Sequence, residues 1–131
     1  MRILDTDVCV ELLRGNPRLL ERRASLREKV ATTWITVGEL HYGAAKSAFP
    51  EHNRASVAGL VATLPVLDLD ELSARIFGEA KALLEKRGER LADADLFIGA
   101  IAAAHRAIVV TGNSRHLGRI PGVLTEDWLR G

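Results

Sequence analysis

The chain has 131 residues, of which 47% are hydrophobic, 27% charged and 5% aromatic, and its formal net charge is +1. This composition is typical of one globular domain, and it excludes a disordered chain and a histone-like polycation. A nucleic-acid partner stays compatible with it, because a local basic face can coexist with an acidic pocket.

The only cysteine, Cys9, lies in an apolar stretch. One cysteine cannot build a disulfide framework within a chain, so we expect a buried thiol and a reducing compartment. Asp5 interrupts the opening residues before any apolar leader can form, and no apolar run approaches the roughly 20 residues of a membrane span. We therefore expect a soluble cytoplasmic protein without membrane contact.

The first half of the chain alternates short β-branched runs with amphipathic segments, separated by glycine and proline. We expect Thr6 or Asp7, and not Asp5, to cap the first helix. The predicted elements are, in order, a strand over 2–4, a helix ending at 13, a helix over 17–28, a strand over 30–35, and helices over 36–47 and 51–64.

The second half continues the alternation. The predicted elements are a strand over 65–69, a helix over 70–87, a helix opening near 93 that is apolar over 96–104, a strand over 107–110, a short helix near 116 and a last strand near 123–124. Strands that alternate with helices predict a mostly parallel sheet with helices on both faces. The fold class expected is α/β, a three-layer α/β/α sandwich around four to five strands, with a single domain over 1–131.

Three acidic residues lie where the secondary structure is expected to change. Asp5 follows the first strand, Glu39 lies near the start of the helix after the second strand, and Asp95 lies near the start of the apolar helix. Such positions converge on one edge of a parallel sheet, where carboxylates repel one another unless a cation lies between them. Because oxygen ligands suit Mg²⁺ or Mn²⁺ and not zinc, the sequence predicts a Mg²⁺ site, with Mn²⁺ as the alternative.

Helix capping is the competing explanation for these acids. Thr36 and Glu39 have the spacing of a capping box, and either Asp93 or Asp95 suits the start of its helix. Capping alone, however, gives no reason for the remaining acids to converge. The four histidines lack the spacing of a metal site and are expected at the surface or partly buried: His41, His52, His105 and His116.

Five short motifs follow one another along the chain. They are Leu4-Asp5-Thr6-Asp7-Val8-Cys9, Glu39-Leu40-x-Tyr42-Gly43-Ala44, Asp95-Leu96-Phe97-Ile98-Gly99-Ala100, Val109-Val110-Thr111-Gly112-Asn113-Ser114-Arg115-His116, and Pro121-Gly122 with Glu126-Asp127-Trp128. In order and spacing they resemble the motifs of the PIN domain, and specifically of the VapC toxin ribonucleases of type II toxin–antitoxin systems. Leu117 stands where an aromatic residue is common in that family, and Gly99 stands where alanine is common.

The resemblance implies a Mg²⁺-dependent endoribonuclease that acts as the toxin of a toxin–antitoxin pair, with tRNA or rRNA as its substrate. It implies that Asp5, Glu39 and Asp95 form an acidic triad that binds the metal. Asn113 would be a fourth polar member, at a position where many relatives carry Asp, and Asp93 is a further candidate ligand. The hydroxyls expected to support these groups are those of Thr6 and Thr111.

An acidic pocket repels a phosphate backbone, so nearby arginines are needed to attract RNA. The candidates for this task are Arg14, Arg18, Arg87 and Arg115. The resemblance also implies two protein partners: a second copy of this chain in a homodimer, and a VapB-type antitoxin in a heteromeric complex.

Three other functions are compatible with parts of the sequence. A PIN-fold module that binds RNA or protein without catalysis would keep the fold but not need the acids. Asp5-Thr6-Asp7 resembles the nucleophile loop of haloacid-dehalogenase-type phosphatases, although that family continues with Gly-Thr and this chain continues with Val8-Cys9. A phosphoacceptor receiver domain has similar length and layers, but a suitably placed late lysine is absent.

Overall fold

The protein is described here by a computed structural model that covers residues 1–130. Its strands are β1 (Arg2–Leu4), β2 (Val30–Thr33), β3 (Val66–Leu67), β4 (Ile108–Val110) and β5 (Leu124–Glu126). All neighbouring strands pair in parallel, in the order β3-β2-β1-β4-β5. The predicted parallel sheet is therefore confirmed, with five strands.

Seven helices connect the strands within the described residues. They are α1 (Thr6–Leu13), α2 (Pro17–Ser25), α3 (Trp34–Ala45), α4 (Pro50–Val61), α5 (Glu71–Lys86), α6 (Asp93–Ala104) and α7 (Ser114–Leu117). Among residues 1–130, no helix has the length and apolar character needed to cross a bilayer.

The two faces of the sheet carry separate hydrophobic cores because successive side chains of a strand point to opposite faces. Ile3 and Val109 pack with buried residues of α5 and α6. Leu4 and Val110, one residue further along, pack with buried residues of α1, α2, α3 and α4. This arrangement confirms the predicted three-layer α/β/α sandwich.

The order of the strands places a crevice at the carboxyl ends of β1 and β4. From β1 the chain proceeds outward on one side to β2 and β3, and it then crosses to the other side of β1 to form β4 and β5. In open α/β sheets, ligands bind where the strand order reverses in this way. Asp5 directly follows β1, and its amide donates to the Val110 carbonyl of β4 at 3.0 Å, so this carboxylate lies at the reversal point.

The expected cap of α1 is wrong, and the alternative capping box at the start of α3 does not form. The α1 helix is capped by Asp5, whose Oδ1 accepts from the Val8 amide at 3.1 Å, whereas Asp7 lies inside the first turn. The β2 strand ends at Thr33, and α3 begins at Trp34, two residues earlier than predicted. The Thr33 hydroxyl accepts from the Thr36 amide at 3.2 Å, so Thr36 is itself helical and cannot form a capping box with Glu39.

Other differences concern the ends of elements. The α2 helix ends at Ser25 and not near residue 28, and the third strand spans only Val66–Leu67. The α5 helix has the predicted extent within one residue at each end, because Asp70 caps it through a reciprocal bond with Ser73 and Gly88 follows its end with a φ of 72°.

Candidate active site

Asp5 is the most buried acidic side chain at the crevice, with an exposed fraction of 4%. Desolvation is the largest cause of the rise of its pKa to about 7, from an ordinary value of 3.8. Hydrogen bonds from the Thr111 hydroxyl and the Val8 amide act in the opposite direction, and the negative charges of Asp7 and Asp95 raise the pKa further. The surroundings of Asp5 therefore disfavour its charged form, and a bound cation would stabilise that form.

Asp95 lies half-buried near the start of α6, which packs within the interior. It does not cap this helix, because the N-cap residue is Ala92 and no side chain bonds to the first turn. Burial is the first cause of a raised pKa for Asp95, and the charges of Glu39 and Asp7 add to it, while His116 lowers it. The negative charges of one acid on α1 and one on α3 thus act on Asp95, as expected for residues that share one pocket.

Glu39 lies exposed in the second turn of α3. Its Oε1 accepts a hydrogen bond from the Thr6 hydroxyl at 2.5 Å, and the same hydroxyl lies 3.3 Å from Oγ1 of Thr36. Since Glu39 has no part in a cap, the alternative explanation for this residue is removed. Its carboxylate is instead held against the start of α1, one residue after Asp5.

The loop after β4 closes the crevice from the other side. Thr111 is fully buried, its hydroxyl accepts from the Asn113 amide at 2.8 Å, and it lowers the pKa of Asp5. The Asn113 side chain does not cap α7; its Oδ1 lies 2.5 Å from Nδ1 of His116. Of the two predicted supporting hydroxyls, Thr6 bonds to Glu39 and Thr111 acts on the pKa of Asp5.

The structure separates Asp93 from the other acids. Its carboxylate lies 3.0 Å from Nζ of Lys81, and its side chain is 56% exposed. Asp93 is also not among the groups that shift the pKa of Asp5 or Asp95. Asp93 is therefore paired with a lysine, and its role as a metal ligand stays a prediction.

The four candidate arginines have different surroundings. Arg18 donates from Nη2 to the carbonyls of Trp128 and Leu129, at 3.2 and 2.7 Å, so it is tied to the end of the described chain. Arg87 ends α5 as its C-cap residue. Arg14 is exposed and pairs with Glu11 at 2.8 Å, and Arg115 is exposed on α7.

A groove of about 410 Å³ extends from Glu39 along α1, α3 and α4. Apolar side chains dominate one part of its wall, and Arg14 with polar residues of α4 forms the rest. Its lining includes Val10, Leu13, Arg14, Glu39, Leu40, Asn53, Ser56 and Val57. The acidic pocket thus continues into a surface that accepts both apolar and charged groups.

The donor set suits a magnesium ion bound by few protein ligands. Within residues 1–130, no three acidic, histidine or cysteine side chains stand close enough together to hold one ion. Mg²⁺ is usually bound through one or two carboxylates, with waters and substrate phosphates as the other ligands. Asp5 and Asp95 are the candidates for such a pair. Burial is the first cause of the raised pKa of both, the charge of Asp7 raises the pKa of both, and a bound cation would lower the two values.

Two residues at the pocket were not expected from the sequence. Asp7 was assigned to a cap, yet its charge raises the pKa of both Asp5 and Asp95. The sequence signal for this effect was the position of Asp7 in the Asp5-Thr6-Asp7 segment. His116 was expected to have no role, and it lies beside Asn113 and acts on Asp95. No sequence spacing identifies His116, because α7 and α6 are brought together only when the chain folds.

Comparisons with known proteins agree with this fold. A family model described as "PIN domain" matches residues 2–123. The chain is similar to the "tRNA(fMet)-specific endonuclease VapC" of Salmonella typhimurium, with 37% identity over 127 residues that cover 96% of each chain. The protein of the same name from Shigella flexneri is 35% identical over 127 residues, again with 96% of each chain covered.

Solved structures give the same result. The chain is similar to the structure of DNA-bound VapBC from Salmonella typhimurium, with a TM-score of 0.91, 37% identity and 97% of each chain covered. It is also similar to the structure of VapBC2 from Rickettsia felis bound to a promoter DNA fragment, with a TM-score of 0.91, 28% identity, and 97% and 98% of the two chains covered.

Proposed function

The chain belongs to the PIN-domain family of VapC ribonucleases, and on that premise we propose that it is a Mg²⁺-dependent endoribonuclease acting as the toxin of a toxin–antitoxin pair. Membership makes it an endoribonuclease and removes the phosphatase and receiver-domain alternatives. The metal, the RNA and the protein partners are the parts that we propose.

The observation that carries the proposal is the Asp5–Asp95 pair at the reversal point of the strand order. Burial is the first cause of the raised pKa of each carboxylate, Asp95 raises the pKa of Asp5, and Asp7 raises the pKa of both. Buried acids with perturbed pKa values, at the place where α/β sheets bind ligands, are typical of a functional site. A purely structural acid in this position would be paired with a cationic side chain, as Asp93 is with Lys81.

We assign the metal to Asp5 and Asp95, with Glu39 as the third acidic member. A bound Mg²⁺ supplies charge stabilisation at the phosphate and a more acidic water at neutral pH. Asp5 and Asp95 would hold the ion that faces the phosphate. Glu39, fixed by Thr6, would accept a proton from the water whose oxygen bonds to phosphorus; the P–O3′ bond then breaks and O3′ takes a proton from solvent, which leaves a 5′-phosphate and a 3′-hydroxyl.

The substrate that we propose is tRNA, in line with the names of the Salmonella and Shigella relatives. Two exposed arginines lie on segments that follow β1 and β4, the strands whose carboxyl ends form the crevice. Arg14 lines the groove that contains Glu39, and Arg115 lies next to His116 on α7. Their charges offset the repulsion between the pocket and the RNA.

The protein partner that we propose is a VapB-type antitoxin, since the similar structures are VapBC complexes. A second copy of the chain is the other proposed partner. Large apolar side chains lie exposed near the carboxyl ends of the paired strands β2 and β3: Trp34, Leu69 and Leu72 are 52%, 40% and 42% exposed. Such a patch would be covered in a homodimer.

The proposal is tested by incubating the purified protein with a pool of small RNAs, with Mg²⁺ or with EDTA, beside the Asp5→Asn variant. Asparagine is as good an N-cap as aspartate, so the variant is expected to fold. Discrete products that require metal and disappear in the variant would support the assignment, and end mapping would identify the RNA. Equal cleavage in EDTA, or by Asp5→Asn, would overturn it.

A further inference from the structure

The loop after β4, residues 111–113, lies at the edge of the crevice and is bonded on two sides. On one side, the Asp5 amide donates to the Val110 carbonyl at 3.0 Å, which places the start of the loop beside Asp5. On the other side, the Thr111 amide donates to the Glu126 carbonyl at 3.0 Å. Because β5 is an edge strand of the sheet, support from that side depends on β5 and on the residues that follow it.

The last described residues, Glu126–Arg130, form a strap that runs beside this loop. The Oδ1 atom of Asp127 accepts a hydrogen bond from the Leu129 amide at 2.8 Å. From α2, Nη2 of Arg18 donates to the carbonyls of Trp128 and Leu129 at 3.2 and 2.7 Å. The backbone of the strap is therefore fixed through both an amide and two carbonyls.

The side chain of Leu129 packs directly against Gly112, the middle residue of the loop. A Cβ atom on Gly112 would overlap Cδ1 of Leu129 and would lie 3.4 Å from its Cγ. Gly112 does not have the positive φ of Gly15, Gly88 or Gly122, so its backbone conformation does not require glycine. The close approach of the strap is what requires a residue without a side chain at position 112.

An ordinary chain end that covers the hydrophobic core is the alternative explanation. Trp128 performs that task, because its side chain is fully buried in the core beneath α1 to α4 and its indole donates to Glu126 at 2.6 Å. Leu129 is only partly buried, and it contacts the loop at Gly112. The bonds from Arg18 fix the part of the strap that makes this contact.

We propose that the strap positions the loop after β4 for RNA cleavage, with Leu129 and Arg18 as positioning residues that touch neither the metal nor the RNA. This inference rests on the proposed function. Leu129 sets the distance between the strap and the loop, and the bond from Thr111 to Glu126 holds the loop at the side of Asp5. Arg18 then acts through the strap, which differs from the RNA contact expected for it from the sequence.

The test compares Leu129→Ala, Gly112→Ala and the double variant in single-turnover cleavage of one tRNA that the wild type cuts, with Leu60→Ala as the control. Leu60 of α4 is another partly buried leucine that packs against the same core as Leu129. We expect Leu129→Ala to lower the maximal rate about tenfold, since a displacement of about 1 Å can cost about 100-fold. The RNA dissociation constant in EDTA should stay unchanged, and Leu60→Ala should lower only the free energy of unfolding.

The double variant distinguishes positioning from a general loss of packing. Gly112→Ala alone should displace the Leu129 side chain and lower the rate. In the double variant the two Cβ atoms would lie 3.8 Å apart, which is an ordinary van der Waals distance, so the contact between strap and loop is restored. We therefore expect the double variant to cleave faster than Leu129→Ala. Losses that multiply in the double variant, or wild-type cleavage by Leu129→Ala, would overturn the inference.

Amide hydrogen exchange reports on the loop itself and does not depend on cleavage. The Asn113 amide donates to the Thr111 hydroxyl at 2.8 Å and should be protected in the wild type. This protection should be lost in Leu129→Ala and Arg18→Ala and kept in Leu60→Ala. Equal protection in all of these proteins would overturn the inference. A wild type that binds RNA but cuts none would overturn the proposed function, whereas the exchange rates would still decide whether the strap holds the loop.

Discussion

The hydroxyl of Thr6 donates to the carboxylate of Glu39 at 2.5 Å and so joins the first turn of α1 to the second turn of α3. Asp5 caps the same turn of α1. One turn of helix therefore contributes a buried acid and the group that orients an exposed one. Glu39, which is otherwise free to move in solvent, has a defined position relative to Asp5.

This contact gives the first prediction. Thr6→Val keeps the shape of the side chain but removes the donor, so Glu39 loses its orientation. We expect RNA cleavage to fall about 10- to 100-fold, in the range seen when a partner of a metal-site group is lost. Thr6→Ser keeps the hydroxyl and is the matched control, with nearly full cleavage in a single-turnover assay. Equal rates for the two variants would contradict the role of this bond.

Asp5 lowers stability at neutral pH, because burial raises its pKa to about 7 from 3.8. At a pH between these two pKa values, the folded state binds more protons than the unfolded state. The free energy of unfolding therefore falls as the pH rises. At pH 8 the cost approaches about 4 kcal/mol. Asp5→Asn removes the charge, keeps the cap, and should raise that free energy by roughly 1 to 4 kcal/mol at pH 8.

Urea unfolding at pH 4 and at pH 8, without divalent cations, measures this effect. The gain from Asp5→Asn should be large at pH 8 and small at pH 4. Mg²⁺ should stabilise the wild type at pH 8 and leave the variant unchanged, because binding to the folded state adds to its stability. A variant that is less stable than the wild type at pH 8 would show that Asp5 is not desolvated as described.

Glu126 of β5 has a structural role, and its pKa is shifted in the opposite direction from that of Asp5. The Arg2 guanidinium is the largest cause of its lowered pKa, and the Trp128 indole, 2.6 Å from Oε1, adds to it. A lowered pKa adds stability that is present above the ordinary value and is lost as the pH falls through the folded-state value. Glu126→Gln should lower the free energy of unfolding by about 1 to 3 kcal/mol at pH 7, and less at pH 3.

The control for this variant is Glu51→Gln. Glu51 pairs with Arg54 at 2.6 Å, but both side chains are largely exposed, at 86% and 66%. Such surface pairs contribute little, so we expect a change within about 0.5 kcal/mol. Chemical unfolding that finds the two variants equally destabilised would refute the structural role of Glu126.

The candidate arginines should differ in RNA binding. Arg115→Ala removes an exposed charge beside the pocket, and the slope of log affinity against log salt should fall by about 1. Arg18→Ala removes two bonds to the carbonyls of Trp128 and Leu129 and should lower the free energy of unfolding by about 1 to 2 kcal/mol. For Arg18→Ala, the slope of log RNA affinity against log salt should not change. Filter binding over a salt series separates the two variants.

Most of the fold could be predicted from the sequence because the strand and helix patterns are strong and agree with one another. The apolar run before Asp5 and the fully apolar run before Thr111 identify β1 and β4, the strands that form the crevice. The capping box at Thr36 and Glu39, the competing explanation for Glu39, does not form because Thr33 ends β2 early and caps α3 itself. Helix-capping propensity is the same for two threonines close together in the sequence. The folded backbone determines which of them is the cap.

The candidate site was predictable where a residue directly follows a strand, and less so where packing decides. The convergence of Asp5 with Asp95 depends on how α6 packs against the sheet, and the sequence offered only the placement of Asp95 near a helix start. The effect of His116 on the pKa of Asp95 could not be predicted, since the two residues lie on separate helices. The partnership of Asp93 with Lys81 likewise depends on α5 lying beside α6.

The most direct test of the shared acidic site is a comparison of Asp5→Asn, Asp95→Asn and the double variant in the same single-turnover RNA cleavage assay. If both carboxylates act on one bound phosphate and metal, each single variant should lose nearly all of the rate, and the double variant should be no slower than either. Losses that multiply in the double variant, or an Asp95→Asn protein that cleaves at the wild-type rate, would contradict the account.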